Sequence, residues 1–357
     1  MQCLNNINRF KIPNDIIINY IDLYKSIGKN HYNHDALISD YTVMVRQTIC
    51  NDVYYFSKIF DLQVSESRLK SLIYKEILPK NKDEKLVLRL KKAFTKIHKE
   101  TSTFELHVNE IFDMLKFLYK DIVSDKKLQF VKADKKSGEK VSLLARTTNN
   151  KREELDELIA LFIEKVNESR YEPGFIISNF YIDLVNILPF VEKNDEIALI
   201  TLYILLLTNG YEAFEYVSFM ELIYKNQNEF KRATLNSSFN WSEGFAETLE
   251  IHRLLLGISL HAYSEVNGLI RDYEFDSQLN KSNNVENTIT KLDEIFTKDD
   301  IRNVHPYISD STINRTLKRL RDDGKIRPLG KGRSAKWMKL MKTEKKTTLF
   351  EQLDLNL

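Results

Sequence analysis

Cysteine is almost missing from this chain, which has only Cys3 and Cys50 among its 357 residues. Two thiols cannot build a disulfide framework, so the small secreted scaffolds are excluded and a reducing cytoplasm is the expected compartment. Proline and glycine are scarce too, at six and ten. Both are frequent at turns and poor inside helices, so their scarcity argues against an all-β fold and for a mainly α-helical one. No apolar run is long enough to span a bilayer. The longest, Ile197–Leu207, has 11 residues, against about 20 needed for a crossing, and reads as a buried helix. The opening MQCLNNINRFKIPND lacks a basic stretch followed by an apolar one, so it does not read as a secretory signal. There is no glycine-rich phosphate loop, and no motif calls for a cofactor. The seven histidines are scattered. His31 and His34, beside Asp35, have a spacing that could hold a metal, but no matching second pair exists and they read as a polar loop. Neither cysteine has a neighbour that suggests nucleophilic catalysis.

What is present is an ordinary globular balance, 43% hydrophobic and 29% charged, with 20 Phe and 17 Tyr to fill cores. The length suits two or three domains. The net charge of +2 is unevenly spread: Lys298–Lys342 carries 13 Lys/Arg against five Asp/Glu, a net +8, which leaves −6 for the rest. Such asymmetry suggests a basic module attached to an acidic body.

Helical periodicity dominates the first 120 residues, with expected helices over Tyr41–Phe60 and Ser67–Ile77 and along LKKAFTKIHKE and FELHVNEIFDMLKFLYKDI. LQFVKADKKSGEKVSLLA then breaks the pattern, and the turn Lys135-Lys136-Ser137-Gly138 predicts a β-hairpin. A helix through Leu155–Val166 follows, with Thr148 or Asn149 as its expected cap. Phe175–Leu188 and Ile197–Leu207 are nearly apolar all round and should lie at the centre, with Gly210 as a left-handed cap after the second. The Asn/Ser-rich DSQLNKSNNVENT, Asp276–Thr288, reads as a hinge.

The turn between the two apolar helices reads Leu188-Pro189-Phe190-Val191-Glu192-Lys193-Asn194-Asp195-Glu196, with Leu199 farther on. Downstream come Tyr216-Val217-Ser218 and Tyr224-Lys225-Asn226. From about Thr101 to Tyr263 the chain resembles the Fic family, whose signature is H-P-F-x-[D/E]-G-N-G-R-x-x-R. Active members transfer nucleotide monophosphates, commonly AMP from ATP, onto protein hydroxyls. The resemblance implies that the predicted hairpin is the family's substrate-positioning flap. It also implies that Leu188 stands where the general base His belongs, Glu192 at the metal-binding acid and Asn194 at the Asn. Lys193 and Asp195 replace the two glycines, and Glu196 and Leu199 the two arginines. Leucine has no titratable group, so the base is lost. Independently of the resemblance, a helix N-terminus attracts anions. Asp195 and Glu196 place carboxylates in that position, where they are expected to cap the helix and repel a triphosphate. The turn therefore reads as a degenerate remnant with no catalytic residues. Two alternatives are a ligand site using Glu192, Asn194 and Lys193, and surviving nucleotidyl transfer. The family's inhibitory S/T-x-x-x-E-[G/N] helix has its nearest counterpart in Arg46–Asp52, where Cys50 falls at the Glu position.

Residues Ile289–Met341 read as helix, turn, helix and a two-stranded wing around GKGRS. Ile313, Leu317 and Leu320 should face inward, Ser309 or Asp310 should start the second helix, and Gly324 should end it. This block resembles a winged helix-turn-helix. Thr312, Asn314, Arg315, Lys318 and Arg319 on the helix, with Lys331 and Arg333 in the wing, would meet double-stranded DNA. The final Gln352–Leu357, QLDLNL, resembles peptides that dock on the bacterial DNA-polymerase sliding clamp, although an unattached terminus fits as well.

The sequence thus predicts a mainly α protein with four parts: a helical region over 1–100, a Fic-like core over 101–270, a linker and winged helix-turn-helix over 271–342, and a tail over 343–357. The expected role is DNA binding and transcriptional regulation, with the core as scaffold, sensor or homodimer surface. A nucleotidyl transferase with an altered site and a protein-interaction scaffold are the rival readings.

Overall fold

A computed structural model describes the whole chain except Met1, Glu76, residues 133–149, 279–280, Tyr307, 331–334 and 341–357, and the side chains of 274–283. The turn Lys135–Gly138, wing residues Lys331 and Arg333, and the terminal Gln352–Leu357 lie outside the described residues. The chain divides into two compact units, Met1–Leu269 and Ile270–Leu357. The stretches 1–100 and 101–269 both fall within the first. No described helix is long and apolar enough to cross a membrane.

In the first unit the helices are α1 (Gln2–Asn5), α2 (Asn14–Ile27), α3 (Asn30–Leu37), α4 (Tyr41–Ile59), α5 (Glu66–Lys75) and α6 (Lys82–Glu100). There follow α7 (Val108–Tyr119), α8 (Lys151–Glu168), α9 (Pro173–Ile187), α10 (Asn194–Thr208), α11 (Phe219–Lys225) and α12 (Gln227–Ser238). The boundary between the units falls within α13 (Leu249–Gln278). Helix starts are set by local chemistry. Asn81 Oδ1 accepts from Glu84 N at 2.8 Å to open α6. Pro173 occupies the first turn of α9, where its missing N–H costs nothing, and Glu172 accepts from Phe175 N at 2.7 Å. Thr148 and Asn149, the expected caps of α8, lie outside the described residues, and Asn150 Oδ1 accepts from Arg152 N at 3.3 Å at the start of this helix.

As their composition predicts, α9 and α10 are buried along almost their whole length and pack against each other at the centre. Around them a buried polar junction ties α4 to α10 and α11. Asp52 on α4 accepts from Ser218 Oγ at 2.7 Å, Met220 N at 3.0 Å and Tyr203 Oη at 2.9 Å. His98 Nε2 lies 2.7 Å from the same tyrosine oxygen. The Asp52 carboxyl thereby supports the start of α11, beside its Ser218 cap, and joins residues more than 150 positions apart. It also explains why residues 1–100 are not a separate body.

The second unit contains α14 (Lys281–Lys291), β1 (Ile295–Phe296), α15 (Lys298–Val304), α16 (Asp310–Asp322), β2 (Ile326–Pro328) and β3 (Trp337–Lys339). The three strands form an antiparallel sheet in the order β1-β3-β2, with Phe296 opposite Trp337 and Pro328 opposite the same residue. Ile313, Leu317 and Leu320 of α16 are buried, as are Val285 and Ile289 of α14. Most of the predicted hinge is helical here. Lys281–Thr288 lie in α14, because Val285, Ile289 and Leu292 recur at helical spacing and bury against α16, and this outweighs the loop-like composition.

Candidate functional site

The turn after α9 is made by two residues in the left-handed region, Leu188 at φ 49° and Lys193 at φ 72°. Between them the backbone is paired with the segment that follows α7. Val131 N donates to Pro189 O at 3.0 Å, Val191 N to Gln129 O at 3.0 Å and Glu192 N to Lys127 O at 3.2 Å. Phe130 and Phe190 form the central bridge, and their rings, 5.0 Å apart, pack with Phe112. The described part of the predicted flap is thus a segment laid along the turn and joined to it by an isolated bridge. Inside the turn, Asn194 Oδ1 accepts from Phe190 N at 2.9 Å and its Nδ2 donates to Phe190 O at 2.7 Å.

No protein-family model and no curated protein matches the sequence. Among solved structures, a Fic family protein from Desulfovibrio desulfuricans G20 is similar with a TM-score of 0.54 at 13% identity, over 93% of this chain and 98% of that one. A Fic domain containing signaling protein from Bacteroides thetaiotaomicron VPI-5482 is similar at 0.52 and 12% identity, over 70% of this chain and 97% of its own. Fic-1 from C. elegans is similar at 0.51 and 14% identity, over 71% of this chain and 73% of its own. The chain has the Fic fold.

The residues of the turn can each be placed. Leu188 caps the C-terminus of α9 and is 48% exposed, an alkyl group facing solvent where the sequence resemblance led one to expect the histidine position. Pro189 and Phe190 belong to the bridge described above. One oxygen of the Glu192 carboxylate is held by Lys127 Nζ at 2.6 Å, and that ammonium opposes a metal ion at the same carboxylate. Lys193 takes a left-handed conformation, at a cost of roughly 1–2 kcal/mol for a residue with a Cβ. Its ammonium pairs with Glu196 at 2.8 Å and lies 5.2 Å from the centre of the Tyr119 ring. Asp195 is exposed, and Leu199 is buried in α10.

The expected capping of α10 by Asp195 and Glu196 does not occur. No side chain caps this helix through its Lys193 cap position, because Glu196 turns to the Lys193 ammonium and Asn194 turns back to Phe190. Both acids remain in the first turn, where they still favour the helix dipole. Lys127, Glu192, Lys193, Asp195 and Glu196 together carry a net charge of −1 at neutral pH, a poor match for a triphosphate. Lys127, Phe112 and Tyr119 were not singled out from sequence. The signal available was the alternation around Lys127–Val131, which shows a strand but not its partner.

The remaining candidates separate from this turn. His31 and Asp35 are 3.7 Å apart on the surface, and His34 Nδ1 is 3.4 Å from Tyr216 Oη. Among the described residues, no group of three or more His, Cys, Asp or Glu could hold a metal ion. Cys50 is buried in α4.

In the second unit, Ser309 caps α16, its Oγ accepting from Thr312 N at 3.3 Å and lying 3.0 Å from Thr312 Oγ1. Asn314, Arg315 and Lys318 are exposed and make no ion pair among the described residues. Arg319 differs, because Glu286 of α14 holds it at 2.6 Å. Gly324, at φ 69°, closes the helix and turns the chain into β2.

Proposed function

We infer that this is a DNA-binding protein, a regulator of transcription, in which a Fic-fold core without transfer chemistry acts as scaffold or sensor. In this reading the second unit is a winged helix-turn-helix: α15 and α16 are its helices and the β2–β3 hairpin its wing. The observation that carries it is the free cationic edge of α16. Arg315 and Lys318 project from a helix whose other face is buried, next to Asn314, which has the donor and acceptor pattern suited to an adenine edge. A helix of this kind fits the major groove, with the basic groups on phosphate and the polar groups on base edges.

Support for the absence of transfer comes from Leu188, which has no proton to exchange, and from the acids at the start of α10, which oppose phosphate. The test is retention of genomic duplex fragments by the purified protein at physiological salt, for the parent and for R315E/K318E. Retention by the parent and its loss in the variant, with an unchanged melting temperature, is the expected result. Equal retention by both removes α16 from the interface. No salt-dependent retention by either leaves a protein-interaction scaffold as the better reading.

A further inference from the structure

The cations of α16 and its end are not equally available. Toward the C-terminal end every described one is neutralised: Arg319 by Glu286, Arg321 by Asp322 at 2.7 Å, and Lys325, just past Gly324, by the second oxygen of Glu286. Glu286 is therefore a two-cation clamp, reaching from α14 with one carboxylate oxygen on each partner. It is only 26% exposed, whereas Arg319 and Lys325 are about half exposed. Farther toward the N-terminus, Arg315 and Lys318 have no such partner among the described residues. Arg315 and Arg319 are four residues apart and so share one side of the helix. Without Glu286, that side would form a continuous basic ridge.

A continuous ridge binds any duplex, because phosphate contacts contribute affinity without sequence information. We propose that Glu286 withholds Arg319 and Lys325 from the DNA backbone. Contact is then confined to Asn314, Arg315 and Lys318 of α16, and sequence is favoured over indiscriminate phosphate binding. This rests on the DNA-binding reading, and the partner is duplex DNA. Glu286 touches no base in this scheme. It positions two cations, and its effect is electrostatic.

The test compares the parent, E286Q, and E286Q/R319Q/K325Q on a random-sequence duplex between 50 and 200 mM salt. Each phosphate contact steepens the dependence of log K on log salt by about 0.9. Two released cations should steepen it by about 1.8 in E286Q, so across that fourfold range the variant loses about 12-fold more affinity than the parent. The triple variant should return to the parent slope. If the parent binds and E286Q has the same slope, the clamp is wrong and the DNA reading stands. If neither binds duplex, the DNA reading fails. Elution from immobilised heparin then decides the clamp alone: later elution of E286Q upholds the withheld cations, and equal elution rejects them.

Discussion

Asn194 closes a two-bond ring on the backbone of Phe190, receiving its N–H at 2.9 Å and donating to its carbonyl at 2.7 Å. One amide side chain thus satisfies both polar groups of a residue whose ring is buried against Phe130 and Phe112. N194A should lower stability by about 1–3 kcal/mol, because both groups lose their partner in a half-buried place. N194D can accept but not donate, and should fall between parent and N194A in thermal melts. Parent-like stability of N194A would show that the ring holds nothing.

Leu188 sits in the left-handed region with much of its side chain in water. Asparagine adopts that conformation more readily and exposes no alkyl surface. L188N should raise stability by about 1 kcal/mol, read from chemical denaturation midpoints. A loss of stability would mean that the exposed leucine is covered by something.

L188H restores a titratable group but leaves Asp195, Glu196 and the Lys127–Glu192 pair in place. Neither the parent nor L188H should label proteins when incubated with labelled ATP, Mg²⁺ and lysate. Robust labelling by the parent would overturn the reading of the core as inert, and labelling by L188H alone would mean that the anion position tolerates carboxylates.

The pH dependence of stability should separate the buried groups. The Arg68 guanidinium holds Glu84 down at about 2, and burial pushes His98 down to about 4 and His252 to about 3. All three bind more protons unfolded than folded, so they make stability rise with pH, Glu84 toward 4.5 and the histidines toward 6.5. Asp52 works against them. Burial raises it to about 7, so the folded state holds its proton between roughly 4 and 7 and its contribution declines as pH rises through that window. D52N removes this opposing slope. Its stability, measured from pH 4 to 7, should climb more steeply than that of the parent, while a parallel profile would place the Asp52 proton elsewhere.

Much of this architecture is legible in the sequence, and the rest is missing for identifiable reasons. The ranges of α9, α10 and α16 follow from apolar spacing, and Ser309, Gly210 and Gly324 mark helix ends by chemistry that needs no tertiary partner. Asn194 is legible only as a polar turn residue, because its partner is a backbone four residues away and depends on the shape of the loop. Glu286 lies in a run whose Asn and Ser content looks like linker. Its neighbours Val285, Ile289 and Leu292 hold the helical signal, but nothing in the sequence places the carboxylate between Arg319 and Lys325. Lys127 and Glu192 are 65 positions apart, and only the pairing of Gln129–Val131 with Pro189–Val191 brings their charges together.

That pairing has a consequence for how such a turn ages. Its shape is held by N–H and C=O groups from Lys127, Gln129 and Val131, which every residue except proline can supply in full. Side chains at Leu188, Lys193, Asp195 and Glu196 can therefore change without unravelling the loop, and two of these residues stay in a conformation their own Cβ disfavours. In such a loop the backbone outline can outlast the side chains that decorate it.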